Sequence, residues 1–160
     1  MGGAEEQAYR LFHLQDLPLD PAALAAALSS RHAGAFVSFE GRVRDANEGR
    51  VVTGLEYDAY PALCVREGEA VVREALKMPG VIAARCIHRV GSLSVGDIAV
   101  WVGVISGHRD EAFRACRFVI DEVKRRVPIW KKERYGDGSS GWIGLEAAVP
   151  ASDPASGPGR

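Results

Sequence analysis

IAVWVGVISGHRDEAFRACRFVIDEVKRRVP, residues 98–128, contains the change of period that decides the fold. Residues 98–105 are an uninterrupted run of β-branched, aromatic and small apolar residues, of strand length. Beyond Ser106-Gly107 the spacing changes. Phe113, Cys116, Ile120, Val123 and Val127 recur at intervals of three and four, which predicts a helix over 109–127 with one core-facing stripe. Pro128 disfavours helical geometry at Val127, so the helix stops there.

Working outward, residues 81–90 (VIAARCIHRV) are a second clear strand, joined to 98–105 by the turn-rich GSLSVGD. Residues 61–78 carry apolar positions at 65, 71, 72, 75 and 76, a helical pattern closed by Pro79-Gly80. Nearer the N-terminus, 34–44 and 51–57 read as strands flanking a polar loop at 45–50, and 9–15 as a short strand. Asp20-Pro21 supplies an N-cap and a first-turn proline for a helix over about 21–30. No strand is followed by a Gly-rich phosphate loop. The class is therefore α+β, a mainly antiparallel sheet with helices packed on it. At 160 residues the chain fits a single domain, set at 1–149, and PASDPASGPGR (150–160) reads as an unordered tail.

Composition narrows the functional classes. A hydrophobic share of 47% and a charged share of 26% are those of a globular protein, and a net charge of -1 provides no global field toward nucleic acid or membrane. Cys64, Cys86 and Cys116 lie far apart among apolar neighbours, which argues against a disulfide framework or zinc site and for buried thiols in a reducing compartment. The four histidines lack metal-ligand spacing. Without a signal-like N-terminus or a run able to span a bilayer, the chain reads as soluble and cytoplasmic.

Three segments carry chemistry. In VKRRVPIWKKERYGDG (123–138), Lys124, Arg125, Arg126, Lys131, Lys132 and Arg134 concentrate positive charge against the single acid Glu133. Arg125 and Arg126 read as a solvated helix end that complements the helix dipole. Lys124 borders the buried stripe, and Lys131 follows the rigid Pro128-Ile129-Trp130, so the two ammonium groups can be held toward one pocket. There they act as proton-transfer groups if repulsion and burial lower their affinity for protons. If charged, they stabilise a phosphate or a developing oxyanion, and the residues leave both roles open. Ser106-Gly107-His108-Arg109 joins a strand end to a helix N-terminus, where free N–H groups suit an anion; His108 as a simple helix cap is the equal alternative. Arg42 and Arg44, two apart on a predicted strand, form either an anion clamp or a charged edge against aggregation.

In order, FEGRVRD (39–45), LEYDAYPAL (55–63), HRVGSLSVGD (88–97), VGVISGHRDEAF (102–113) and KRRVPIWKKE (124–133) resemble the large-subunit family of molybdopterin synthases, over about residues 9–146. The resemblance implies an α/β hammerhead fold and a sulfurtransferase that is a homodimer within a heterotetramer. Each end of the homodimer would bind a small ubiquitin-like sulfur-carrier subunit whose Gly-Gly C-terminus, as a thiocarboxylate, donates sulfur to cyclic pyranopterin monophosphate. Two transfers would make the dithiolene of molybdopterin. Carried over by position, the family's two essential lysines fall on Lys124 and Lys131. Substrate contacts fall on Arg42, Val43, Arg44, His108, Arg109, Lys131, Lys132 and Glu133, with His108 and Arg109 reaching the pocket of the other protomer. No cofactor and no metal are implied. The chain departs from the pattern at Gly141, before Trp142, and at Ala62-Leu63-Cys64. Two readings from other classes compete: a nucleic-acid module that stacks bases on Trp130 and Tyr135, and a non-catalytic scaffold for a ubiquitin-like protein.

Overall fold

The apolar run at 98–105 is one of the two inner strands of a four-stranded sheet. In the computed structural model, which describes residues 10–143, β1 (Phe12–Gln15), β5 (Val81–Arg89), β7 (Ile98–Ser106) and β2 (Ala35–Arg42) lie side by side in that order. β1 runs parallel to β5 and the other pairs are antiparallel. β7 is buried on both faces, which is why its sequence does not alternate. Val100, Val102 and Val104 point into a core shared with α2 (Pro61–Leu76) and α3 (Arg109–Arg126). On the opposite face, Trp101 and Leu28 close over Gly103. Leu28 follows α1 (Pro21–Ala27), whose first turn is capped by Asp20 accepting from the amides of Ala22 and Ala23, both at 3.1 Å. That helix ends three residues earlier than its composition suggests.

A second sheet is built on β4 (Arg50–Ala59). β8 (Ile129–Tyr135) pairs with it along one edge and is followed by β9 (Ser140–Ile143); β3 (Ala46–Asn47) and β6 (Gly91–Ser94) pair along the other. Two expectations change here, and a third segment takes a form that its residues did not suggest. The polar stretch 45–50 is the tip of a hairpin, β3 to β4, with Glu48 and Gly49 both at positive φ (49° and 77°), the backbone that a tight hairpin turn requires. The turn-rich 91–97 contains a strand. β8 carries Lys131, Lys132, Glu133 and Arg134 in succession, so its strand character comes from ladder hydrogen bonds to β4 and not from an apolar pattern. Val43, Leu55, Leu93 and Ala99 form a small second core between the sheets.

α3 keeps its expected limits: Val127 is extended (φ -83°, ψ 122°), as a residue before proline should be. One member of its predicted stripe is misplaced. Phe113 is 61% exposed, and Ala112, a step back along the helix, takes the inward place with Ala115, Cys116, Val119, Ile120 and Val123. The small alanines let the start of α3 lie close on the sheet, and this turns Phe113 outward. Cys64, Cys86 and Cys116 are buried and unpaired, as expected. Burial pushes the Cys116 thiol up to about 11 and that of Cys86 higher still. The tail at 150–160 lies outside the described residues.

Gly68 lets α2 pack on β1, because a Cβ at that position would overlap the ring of the fully buried Phe12. In an exposed helix interior, Gly→Ala gains about 1 kcal/mol. Overpacking a core costs about 1–3 kcal/mol, and here the obstacle is an immobilised ring. Gly68→Ala should therefore lower the thermal midpoint by several degrees, measured by circular dichroism, against the helix-propensity trend.

Candidate active site

Helix α3 and strand β8 diverge at Val127-Pro128, and the angle between them opens the cleft. The Val127 amide donates to Val123 O at 3.0 Å as the last helical bond, and the Ile129 amide then donates to Val127 O at 2.9 Å. The Pro128 carbonyl accepts from the Tyr60 amide (3.4 Å) and the Cys64 thiol (3.0 Å), pinning the corner to the start of α2. Lys124 is left at the end of one wall and Lys131 in the other. Between them is a cleft of about 350 Å³ at the seam of the two sheets. Arg42 and Arg44 enter from the end of β2, Tyr57 from β4 and His88 from β5, with Val100, Ile120, Val123 and Ile129 as apolar lining.

Among the described residues, four cationic side chains and no carboxylate line this cleft. Such a surface favours anions, since positive charge is in excess on the cleft wall and apolar walls limit screening by water. Among the described residues Lys124 and Arg44 form no ion pair. Arg42 is paired outward, its Nε donating to Glu40 at 3.0 Å. Lys131 is 3.4 Å from Glu133, which is buried under it. Both Glu133 oxygens accept from Asn47 Nδ2, at 3.1 and 3.3 Å, so the hairpin β3–β4 braces the carboxylate that in turn steers Lys131. The two ammonium groups face one cleft, as the spacing suggested, but Lys131 has its own counter-ion there.

Two residues of the wall escaped sequence reasoning. His88 is 9% exposed. Its Nδ1 lies 2.7 Å from the Arg89 carbonyl, which can only accept, so Nδ1 carries the proton. The ring meets Tyr57 edge-on at 4.9 Å between centroids. Burial, with nearby Lys124 adding to it, lowers the His88 pKa to about 4. Burial raises that of Tyr57, Glu133 adding to the effect. The only local signal was a histidine in a β-strand, which by itself reads as core.

The other expected site residues divide. Arg42, Arg44, Lys124 and Lys131 converge on the cleft. Val43 does not reach it: its side chain is in the second core, its N–H donates to Asp97 O at 3.0 Å and its carbonyl accepts from Gly96 at 2.8 Å. Glu133 sits behind Lys131 and off the cleft wall. Lys132 projects from the other face of β8, 5.6 Å from the centre of the Trp142 ring. Gly141 leaves room there, its missing Cβ 3.7 Å from the Tyr135 ring. His108 and Arg109 are exposed at the far end of α3, and His108 makes no capping hydrogen bond with its side chain. Arg125 and Arg126 are absorbed by carboxylates, Arg125 by Glu122 and Arg126 chiefly by Glu74 at 2.9 Å. Tyr135 is covered by the Arg50 guanidinium at 3.5 Å. The continuous basic, aromatic surface that a nucleic-acid module needs is thereby broken up.

Fold and cleft together define an α+β protein with a compact cationic cleft between a helix end and a strand. The MoaE protein family model matches residues 14–126, and the chain belongs to that family. It is 45% identical over 135 residues to the molybdopterin synthase catalytic subunit of Synechococcus elongatus, covering 82% of each chain. Its fold is similar to the crystal structure of molybdopterin synthase from Staphylococcus aureus (TM-score 0.78, 36% identity, 84% of this chain and 97% of that one). It is also similar to a chain in a complex of subunits 1 and 2 of molybdopterin-converting factor from Helicobacter pylori (TM-score 0.65, 25% identity, 79% and 86%).

The depressed pKa of His88 has a consequence for stability. Between pH 6.5 and about 4 the unfolded chain binds a proton at this residue and the folded one does not, so stability falls as the pH drops through that window. The separation corresponds to about 3 kcal/mol. His13, lowered mainly by burial, acts in the same direction. Urea unfolding at a series of pH values should show a markedly shallower acid-side loss in His88→Gln than in the wild type. Equal slopes would mean that His88 is protonated in the fold.

Proposed function

We propose that this chain is the catalytic subunit of a molybdopterin synthase, transferring sulfur from the thiocarboxylated C-terminus of a small ubiquitin-like subunit to cyclic pyranopterin monophosphate. The observation that carries the reading is the cleft lined by Arg42, Arg44, Lys124 and Lys131 without a carboxylate, in a chain of the MoaE protein family. A cyclic phosphate is an anion, and so is the thiocarboxylate; binding both in one place requires concentrated positive charge.

In this reading the thiocarboxylate sulfur forms a C–S bond to a side-chain carbon of the pterin as a C–O bond at that carbon breaks, its oxygen leaving on the opened phosphate or as water, and an acyl thioester results. Water then adds to the acyl carbon, the C–S bond on the partner's side breaks, and the sulfur stays on the pterin as a thiolate while the partner leaves as a carboxylate. The oxyanion of the addition step is where an ammonium group helps most. Lys131, steered by Glu133 and Asn47, is assigned to the substrate, and Lys124, at the open end of α3, to the incoming Gly-Gly tail. The tail itself is an extended peptide held mainly through its backbone. The partner is supported by the likeness to a chain from a two-subunit complex. A cytoplasmic setting agrees with three buried free thiols and with the lack, among the described residues, of a helix long and apolar enough to cross a membrane.

His108 and Arg109 enter through a second copy. Arg109 and Lys124 are fifteen residues apart on one helix, about 22 Å at 1.5 Å per residue, too far for one small substrate. A surface groove runs along α3 through Phe113, Arg117, Ile120 and Lys124, beside Phe39 of the edge strand β2. Phe39 and Phe113 are exposed along it. Antiparallel apposition of two such stripes covers these rings and brings each copy's His108 and Arg109 to the other's Lys124.

Lys131→Ala should reduce dithiolene formation by a thousandfold or more, with the fold kept because Glu133 retains Asn47; turnover of purified mutant and wild type checks this, and near-normal turnover would remove Lys131 from the chemistry. Arg109→Ala and Lys131→Ala homodimers should each be nearly inactive. A purified mixed dimer carrying one of each should recover about half of wild-type activity, through its single intact site. No recovery in a verified mixed dimer would place both groups in one protomer's pocket.

A further inference from the structure

Every charged group on the cleft wall is a hydrogen-bond donor: two guanidinium and two ammonium groups. His88 is the exception. Because the Arg89 carbonyl consumes the Nδ1 proton, Nε2 presents a bare lone pair. Among the described residues nothing donates to that nitrogen. The ring cannot turn away, since it is more than nine-tenths buried, bonded at 2.7 Å and held edge-on by Tyr57. An acceptor this fixed, in the wall of a cleft built from donors, lacks a partner that the protein itself does not supply.

We infer that His88 Nε2 is the acceptor that orients the substrate, taking a hydrogen bond from an N–H or O–H of the heterocycle while the cations hold its phosphate. The inference rests on the proposed function and deepens it. The cations recognise charge and would hold many anions equally well. A single fixed acceptor adds direction: a ligand that fills the cleft must place a donor opposite it or take away its access to water without replacing it, and polar groups left unmet in a complex are what make such sites selective. Neutrality is necessary for this role, because a protonated ring would be a donor and would add to the repulsion among the cations. The buried setting, with pKa lowered to about 4, keeps the ring neutral across the physiological range.

The test uses full-length protein labelled with 15N-histidine. On saturation with cyclic pyranopterin monophosphate, without the small subunit, the His88 Nε2 resonance should shift in the direction of an accepted hydrogen bond while Nδ1 stays in place. Sulfate, which fills an anion site yet has no proton to donate, should leave Nε2 unmoved. An unchanged Nε2 with the pterin, or an equal shift with sulfate, would overturn the inference, and neither result depends on a variant folding. In steady-state assays, His88→Phe should raise KM for the pterin up to about tenfold with kcat nearly unchanged, the size of one neutral hydrogen bond. His88→Gln, whose amide oxygen can accept, should recover part of the loss. Dithiolene formation by the wild type with thiocarboxylated small subunit, run in parallel, separates the two levels. Its absence would strike the proposed function, whereas product formation with an unresponsive His88 would strike this inference alone.

Discussion

The chain cannot continue as a helix through Val127 because Pro128 denies it the geometry, and the cleft depends on that local constraint. If α3 ran two turns further, Lys124 and Lys131, seven residues apart, would line up on one helix face at about 10 Å separation, with no second wall between them. The break turns the second lysine into a strand, where pairing of β8 with β4 sets Lys131 opposite Tyr57. The Pro128 carbonyl, bonded to Tyr60 and Cys64, ties the corner to α2. One steric rule thereby produces two walls at an angle, and the space between them is the site.

Concentrating cations in a small space is unfavourable unless the scaffold is firm. Here the firmness comes from the two cores on either side: the larger, under α2 and α3, and the smaller, around Val43, Leu55, Leu93 and Ala99. Glu133 is the one carboxylate buried close to the site, and it faces Lys131 from behind. It braces that lysine without neutralising the opening of the cleft, which remains free of acids. Asn47 holds Glu133 from a hairpin whose turn residues adopt positive φ, so a surface loop is tied to the position of a central ammonium group.

Much of this was legible locally. The change of period from β7 to α3, the stop at Pro128, the buried thiols and the pairing of Lys124 with Lys131 all follow from residue type and spacing over short windows. The ordered blocks from FEGRVRD to KRRVPIWKKE carried the family, and the match over residues 14–126 agrees with them. Arg42 and Arg44 were legible as two cations at a strand end, which left an anion clamp and a charged edge equally open; their place on the cleft wall came from the fold. Phe113 was misassigned for a physical reason: at spacings of three and four, two adjacent helical faces satisfy the same pattern, and the small residues Ala112 and Ala115 select the true one only once a sheet is present.

By itself, then, the sequence determined the helices, the inner strand, the corner between α3 and β8 and the set of cations, because each depends on backbone sterics or on residues a few positions apart. Only the tertiary structure decided that a run of charged residues at 131–134 is a strand, since its ladder partner lies some seventy-five residues earlier in the chain. The same holds for the depth of His88 and the hydrogen bond that fixes its tautomer, and for Glu133 beneath Lys131. Burial and hydrogen bonding between distant segments set the proton and charge state of these groups, and no local pattern of residues encodes which segments will meet.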